Sequence, residues 1–463
     1  MLEKDKQPVT VRPTVEPGRI SKENPYDRDY GKKPVTLVSA TLLVIANMIG
    51  TGVFTTLGLQ LSGVPSIPGV LLLWIAGGAS AFCGALAYGE LGAMMPRSGG
   101  EYAYLSKIYH PAAGFLSGCV SIVAGFGAPI ALAAIALGHY TQALFPWFHK
   151  TAAGVIAIGF LTLVHLVDVR LGCQFQNVFT AGKILLIGAF VAAGLLTAHP
   201  QHIVLWQGNE ARTILSPAFA VGLVYVSYAY SGWNASVYVA GEIPKPERNI
   251  PVSLFLGTLF VSACYVLLNF VFLYTVPVSE LTGKIDVAFL SAEAVFGGMG
   301  ARIVTLLICL ALISTLSSMI MVGPRVTQAM GEDISTLKVF AKRNKSGSPV
   351  YALLLQSSVA LLLATASAFN AILTYVGFTL TLFTFMTVLG IFILRVRKPG
   401  VNRPFKMWGY PVTPAFFLLL NGWMLCYLLI QRPIPSSVGL LTVGSMLLLY
   451  LLLARFSNDK VKK

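Results

Sequence analysis

Ala46-Asn47-Met48-Ile49-Gly50-Thr51-Gly52-Val53-Phe54 interrupts one long apolar block with Gly-x-Gly. Tyr228-Ala229-Tyr230-Ser231-Gly232-Trp233-Asn234-Ala235-Ser236 interrupts another with glycine and polar side chains. A helix crossing hydrocarbon satisfies its own backbone groups, so irregular backbone at that depth is tolerated only where it lines a cavity. Gly-x-Gly alone is equally explained as a packing face, since small residues let membrane helices approach closely. Two interruptions, in spans that are five apart and so enter the bilayer from opposite sides, point instead to the binding site of a secondary transporter built from inverted halves. The chemistry follows from backbone supply. The N-terminus of a half-helix attracts a carboxylate, and freed carbonyls accept from an ammonium.

The rest of the chain fits such a frame. Of 463 residues, 56% are hydrophobic and 11% charged, with a mean hydropathy of +0.74; soluble domains run about 45–50% and about 25%. This excludes a soluble enzyme, a disordered chain and a disulfide scaffold. The apolar blocks are about 20 residues long, which excludes an outer-membrane barrel with its ~10-residue alternating strands. Twelve spans are predicted, near 34–61, 68–95, 112–145, 151–167, 173–198, 217–240, 251–276, 299–330, 349–368, 370–394, 412–431 and 434–455. The fold class is an all-α polytopic membrane protein. Of the 33 Lys and Arg, 27 fall in the N-terminal segment, the even-numbered loops and the C-terminal segment. The positive-inside bias puts both termini in the cytoplasm, and the net charge of +15 reflects topology rather than nucleic-acid binding. Residues 1–33 are polar and lack the apolar core of a cleavable signal. Six Cys (83, 119, 173, 264, 309, 426) show no metal or disulfide spacing and read as small apolar packing. His139, His165, His199 and His202 show no ligand spacing either. Trp147 and Trp206 read as interfacial belt residues. No metal and no cofactor are expected.

With these features in hand, nearly the whole chain from Pro34 resembles the amino acid–polyamine–organocation transporters. The resemblance is carried by Met48 to Phe54, by Glu90-Leu91-Gly92 with Pro96 to Tyr102, by Tyr228 to Asn234 with Gly241-Glu242-Ile243 and Arg248 to Pro251, and by Gly323 to Val326 with Ala329-Met330. The branch resembled most is that of amino-acid permeases, including bacterial relatives of L-type exchangers. The resemblance implies a leucine-transporter-like 5+5 inverted repeat plus two C-terminal helices. That divides the chain into a cytoplasmic segment 1–33, a first repeat 34–198, a second repeat 217–394, two helices in 412–455 and a cytoplasmic tail 456–463. It also implies that N–H groups around Gly50, Thr51 and Gly52 hold a substrate α-carboxylate. Carbonyls near Met48 and Ile49, with those of Tyr228 and Ser231 beside Gly232, would take the α-ammonium. Tyr228 would be a gating aromatic, and Asn234 a polar residue near the site. Asn47 departs from the family, which has a small residue there; its amide either contacts substrate or braces the helix.

Lys183 lies in the fifth span, where a charge costs about 2.5–3.5 kcal/mol on insertion scales. One reading has it snorkel to the cytoplasmic face. The resemblance implies another: in sodium-independent members a lysine here stands in for sodium, bridging the unwound part of span one to span-eight hydroxyls, for which Ser314, Thr315, Ser317 and Ser318 are candidates. Sodium-independent transport is expected, as exchange or proton symport; desolvation can lower a lysine pKa substantially, so Lys183 itself is a candidate for proton coupling. Glu90 and Glu242, near cytoplasmic helix ends, read as structural pairs with Arg97, Lys245 or Arg248, or else as an inner gate. Asp286 and Glu293 read as solvated outer residues. Glu and Asp are absent from the middle of spans 1, 3, 6, 8 and 10, which favours a neutral amino acid over the runner-up, a polyamine or other organic cation. A membrane-embedded enzyme or a channel is remote: no HExxH, paired Asp, Ser/Lys or Ser/His constellation, repeated filter or charge ring is visible. The partners expected are a small-molecule amino acid and the bilayer of a bacterial inner membrane, with no nucleic acid. No cysteine lies just outside span four, where eukaryotic L-type exchangers join their heavy chain, so no covalent protein partner is expected.

Overall fold

The first apolar block begins with a local decision. Thr36 stands extended before the helix and its Oγ1 accepts from the Ser39 N–H at 3.1 Å, satisfying one of the four N–H groups a helix start leaves open. Helix α1 (Leu37–Met48) then runs until Ile49, whose ψ of 86° leaves helical geometry; Gly50 is also non-helical, and a short α2 (Thr51–Thr55) follows. A turn at Thr56 leads into α3 (Leu57–Gly63). The break predicted from Gly-x-Gly is therefore present, centred on Ile49-Gly50.

The computed structural model describes residues 35–167, 169–197, 216–366, 369–431 and 433–461. The predicted segment 1–33, His199, His202, Trp206 and the end of the predicted span 349–368 lie outside these. The described chain is all helical, with α4 (Ile67–Met94), α5 (Glu101–Ile108), α6 (Pro111–Val120), α7 (Ala128–Leu144), α8 (Lys150–Val167) and α9 (Val169–Thr197) following in order. Next come α10 (Pro217–Tyr230), α11 (Ala235–Tyr238), α12 (Pro246–Thr275), α13 (Val278–Leu281), α14 (Val287–Val322) and α15 (Pro324–Asp333). The last four are α16 (Val350–Ala366), α17 (Phe369–Arg397), α18 (Val412–Gln431) and α19 (Pro433–Val461).

Ten helical stretches are long and apolar enough to cross a bilayer; Pro217–Tyr230 and Val350–Ala366 are apolar but shorter. The first of these two is short because span six is broken, as read from its sequence. Span eight starts well before residue 299: the helix begins at Val287 and turns at Gly297, whose φ of 69° marks a kink between an outer arm and the span proper. Only glycine takes that conformation cheaply. One turn was invisible to the apolar pattern. Between α6 and α7, Ser121–Gly127 winds as a π-helix, a widening that recurs at functional sites.

Packing separates two kinds of apolar surface. Tyr265, Phe272, Leu254 and Trp74 are fully buried where α12 lies along α4 and α1. Leu419, Leu441 and Leu448 on α18 and α19 are mostly exposed; such an apolar exterior is stable only in lipid. This is a multi-pass membrane protein. Three of the six cysteines are buried; Cys119 and Cys264 are half-buried, and Cys426 is exposed, so packing does not account for that one.

Candidate functional site

The two interrupted spans meet at their breaks. A Cβ on Gly52 would lie 2.4 Å from Ala229 Cα, and one on Gly232 would lie 2.7 Å from the Asn47 carbonyl carbon. Gly232 also has a φ of 97°, so it meets both requirements only glycine meets together: space and backbone conformation. α10 ends at Tyr230, Ser231 turns back to bond the Tyr228 carbonyl at 2.9 Å, and the chain resumes as α11 after Asn234. Tyr228 OH lies 3.1 Å from Thr51 Oγ1, joining one break to the other. Asn47 Nδ2 donates to the Leu43 carbonyl at 2.9 Å, and the residue also lines the cavity.

Lys183 is buried and does not snorkel. Its Nζ lies 2.6 Å from the Ile49 carbonyl, 3.4 Å from the Ala46 carbonyl and 2.8 Å from Thr315 Oγ1. Three ammonium protons thus face three acceptors, and α9 is tied to the break of span one and to span eight. Of the four hydroxyls considered as acceptors, Thr315 alone serves. Ser314 sits near Gln176 and Thr180, Ser317 is 2.9 Å from His165 Nε2, and Ser318 donates to the Thr315 carbonyl within its own helix. Helical rotation explains this, since residues adjacent in sequence point about 100° apart and only one of four can face the lysine. The Ile49 carbonyl also accepts from Thr315 at 2.8 Å, so both its lone pairs are engaged.

Tyr265 was not anticipated. Its hydroxyl is within hydrogen-bonding distance of the Met48 carbonyl at 2.5 Å and of the Ala229 carbonyl at 3.0 Å, one acceptor from each broken span. A tyrosine in an unbroken apolar helix carries no sequence signal of such a role; only the breaks it reaches reveal it.

From the breaks a cavity extends past Asn47, Ser231 and Asn234 to Ser121, Tyr238 and Glu101. Glu101 corrects the expectation that no acid faces the site: it belongs to none of the spans, but α5 carries it inward. Its carboxylate accepts from Tyr88 OH at 2.8 Å, from Asn234 Nδ2 at 2.7 Å and from Tyr238 OH. Burial outweighs these three bonds and holds its carboxyl above the usual carboxylate range.

The helix ends near Glu90 and Glu242 carry the ion pairs, with partners the sequence did not suggest. Glu242 pairs with Arg325 of α15 at 3.1 Å, and Glu90 with Arg395 at 2.6 Å and Arg403 at 3.4 Å. Arg97 pairs with Asp333 at 2.8 Å and Glu332 at 3.6 Å. Neither Glu90 nor Glu242 pairs with Arg97, Lys245 or Arg248, because the bundle brings arginines from α15, α17 and the segment after α17 closer. Among the described residues no cluster of three or more His, Cys, Asp or Glu could hold a metal.

The profile of the amino acid permease family matches residues 35–454. The chain belongs to the amino acid permease family. Its relatives include the large neutral amino acids transporter small subunit 2 of Homo sapiens, 30% identical over 420 residues, covering 88% of this chain and 78% of the relative. The b(0,+)-type amino acid transporter 1 of Mus musculus is 28% identical over 411 residues (87% and 84%). The serine/threonine exchanger SteT of Bacillus subtilis (strain 168) is 28% identical over 425 residues (90% and 96%). This permease is accordingly a transporter and not an enzyme.

Proposed function

We propose that this permease is a sodium-independent secondary transporter of neutral L-amino acids, an exchanger or proton-coupled symporter working by alternating access across the cell membrane. The supporting observation is the contact of two helix breaks, Gly52 against Ala229 and Gly232 against Asn47, at the head of the cavity. Two of its relatives carry amino acids in their names and a third is an exchanger of serine and threonine. The first N–H groups of α2 have no intrahelical partner by geometry, which suits a carboxylate near Gly50, Thr51 and Gly52. With the Ile49 carbonyl saturated, the α-ammonium falls to the free lone pair of the Met48 carbonyl and to the Ser231 turn, under Tyr228. Lys183 supplies the fixed positive charge that a sodium ion supplies elsewhere, held by the Ile49 carbonyl and Thr315. Twelve spans follow if the two shorter apolar helices also cross. The 5+5 arrangement of 34–198 and 217–394 then places the breaks in corresponding first spans, with 412–455 outside the repeats. The ion pairs Glu242–Arg325 and Arg97–Asp333 act as the inner latch.

A second reading, transport of a polyamine or organic cation, rests on Glu101 at the cavity wall. The three donors already on its carboxylate weigh against it. The test is uptake of pooled labelled amino acids into sodium-free proteoliposomes, with and without internal amino acid. Uptake only with internal substrate marks an exchanger, and uptake without it a symporter or uniporter. Uptake of labelled putrescine in place of amino acids would overturn the neutral reading.

A further inference from the structure

Lys183 and Glu101 are both buried and both hydrogen-bonded, yet only one of them is provided for in a single charge state. The lysine has three acceptors for three protons. Glu101 has three donors, two tyrosine hydroxyls and an amide, and no cation. The arginines on the elements around it are engaged elsewhere: Arg97 with Asp333 and Glu332, Arg325 with Glu242, and Arg395 and Arg403 with Glu90; Lys107 of its own helix is exposed. Tyr88, Tyr104 and Tyr238 are the other titratable groups near it, from α4, its own helix and α11. Tyr104 OH has no hydrogen-bond partner among the described residues.

An uncompensated carboxylate facing only neutral donors is costly in a dry interior, and the arrangement also satisfies the protonated acid. When ionised, Glu101 Oε2 accepts the Tyr238 hydroxyl proton. When protonated, Oε2–H donates to the Tyr238 oxygen, which already accepts from Asn234 Nδ2 at 3.2 Å. The tyrosine O–H must then turn away from the acid. Tyr238 and Asn234 both line the cavity, so the freed O–H is delivered to the space where substrate would lie.

We propose that Glu101 is a proton-binding site coupled to substrate. Its carboxylate takes one proton from water entering the cavity on one face of the membrane, the neutral acid reverses its bond with Tyr238, and the Tyr238 O–H becomes available to the bound substrate. The proton returns to water when the cavity opens on the other face. This rests on the transporter reading for its substrate but not for its proton.

Two measurements test it. Infrared difference spectra of the purified protein between acid and alkaline pH should show the carbonyl stretch of a protonated carboxyl. That band should be lost in Glu101→Gln and retained in Glu242→Gln. Exchange of labelled L-serine in proteoliposomes, at equal pH on both sides, should accelerate on the order of tenfold as pH falls through the Glu101 titration. In Glu101→Gln, which mimics the neutral acid, the rate should be independent of pH; Glu101→Asp should restore the dependence. If Glu101→Gln does not transport, the infrared band and the pH dependence of Glu101→Asp still decide. A carboxyl band that survives Glu101→Gln, or a wild-type rate flat in pH, overturns the proposal. Flat exchange would leave the transporter reading intact, whereas absence of any amino-acid uptake with the band present would overturn that reading instead.

Discussion

The lysine and the glutamate of this permease show two ways of keeping an ionisable group inside a membrane protein. Lys183 sits at the break of span one among carbonyls that have lost their helical partners, and each of its protons has an acceptor. Glu101 sits at the far wall of the cavity among donors that can reverse. The first set of partners suits the protonated ammonium and ties it to the break; the second suits a carboxylate or, with the Tyr238 hydroxyl turned, a carboxylic acid. Burial is therefore a poor guide to role. What separates the two is whether the surrounding partners suit one protonation state or both.

The frame depends first on contact between the breaks. Gly52→Leu drives a side chain into Ala229 and should reduce transport more than about 100-fold, while the protein still inserts and runs as a single species in size-exclusion chromatography. Near-normal uptake would detach the site from the break. Next is the fixed charge: Lys183→Met strips the lysine donor from the Ala46 and Ile49 carbonyls. An unsatisfied buried group costs about 1–3 kcal/mol, so an uptake loss of about 10- to 100-fold and a lower thermal midpoint are expected. Unchanged stability and uptake would mean that the lysine does not hold the frame.

Tyr265→Phe removes a hydroxyl within reach of the Met48 and Ala229 carbonyls. About 1–2 kcal/mol corresponds to a loss of about 5- to 30-fold, read as a higher half-saturation concentration. A variant indistinguishable from wild type would reduce the tyrosine to packing. The smallest effect belongs to the latch. The Arg325 side chain is 4% exposed and that of Glu242 15%. Arg325→Gln should leave substrate affinity within about twofold and change the maximal rate a few-fold, because truncating one partner of such a pair changes the balance of states rather than the cavity. A change in affinity alone would place the pair at the substrate rather than at the gate.

Much of this was legible before any coordinates. Glycines in the middle of apolar blocks forecast both breaks, and the charge of Lys183 at mid-span forecast a buried partner. The limits of reading are equally physical. Helix rotation selected Thr315 from four neighbouring hydroxyls, a choice that depends on how α14 is turned toward α9. Tyr265 acts through a hydroxyl whose acceptors exist only because other helices break. Glu101 belongs to a short amphipathic helix outside the spans, so a search for acids within spans passed over it. The carboxylates Glu90 and Glu242 found arginines from distant spans rather than the near ones, a matter of bundle topology that local sequence does not carry.

The most direct test of the central claim, that the touching breaks form the substrate site, is equilibrium binding. Labelled L-serine and L-leucine should be presented to purified wild type and Gly52→Leu in choline buffer free of sodium. Saturable binding of at least one of them to the wild type, and none to the variant at matched folding, is expected. Binding to Gly52→Leu at wild-type affinity would place the substrate elsewhere and contradict it.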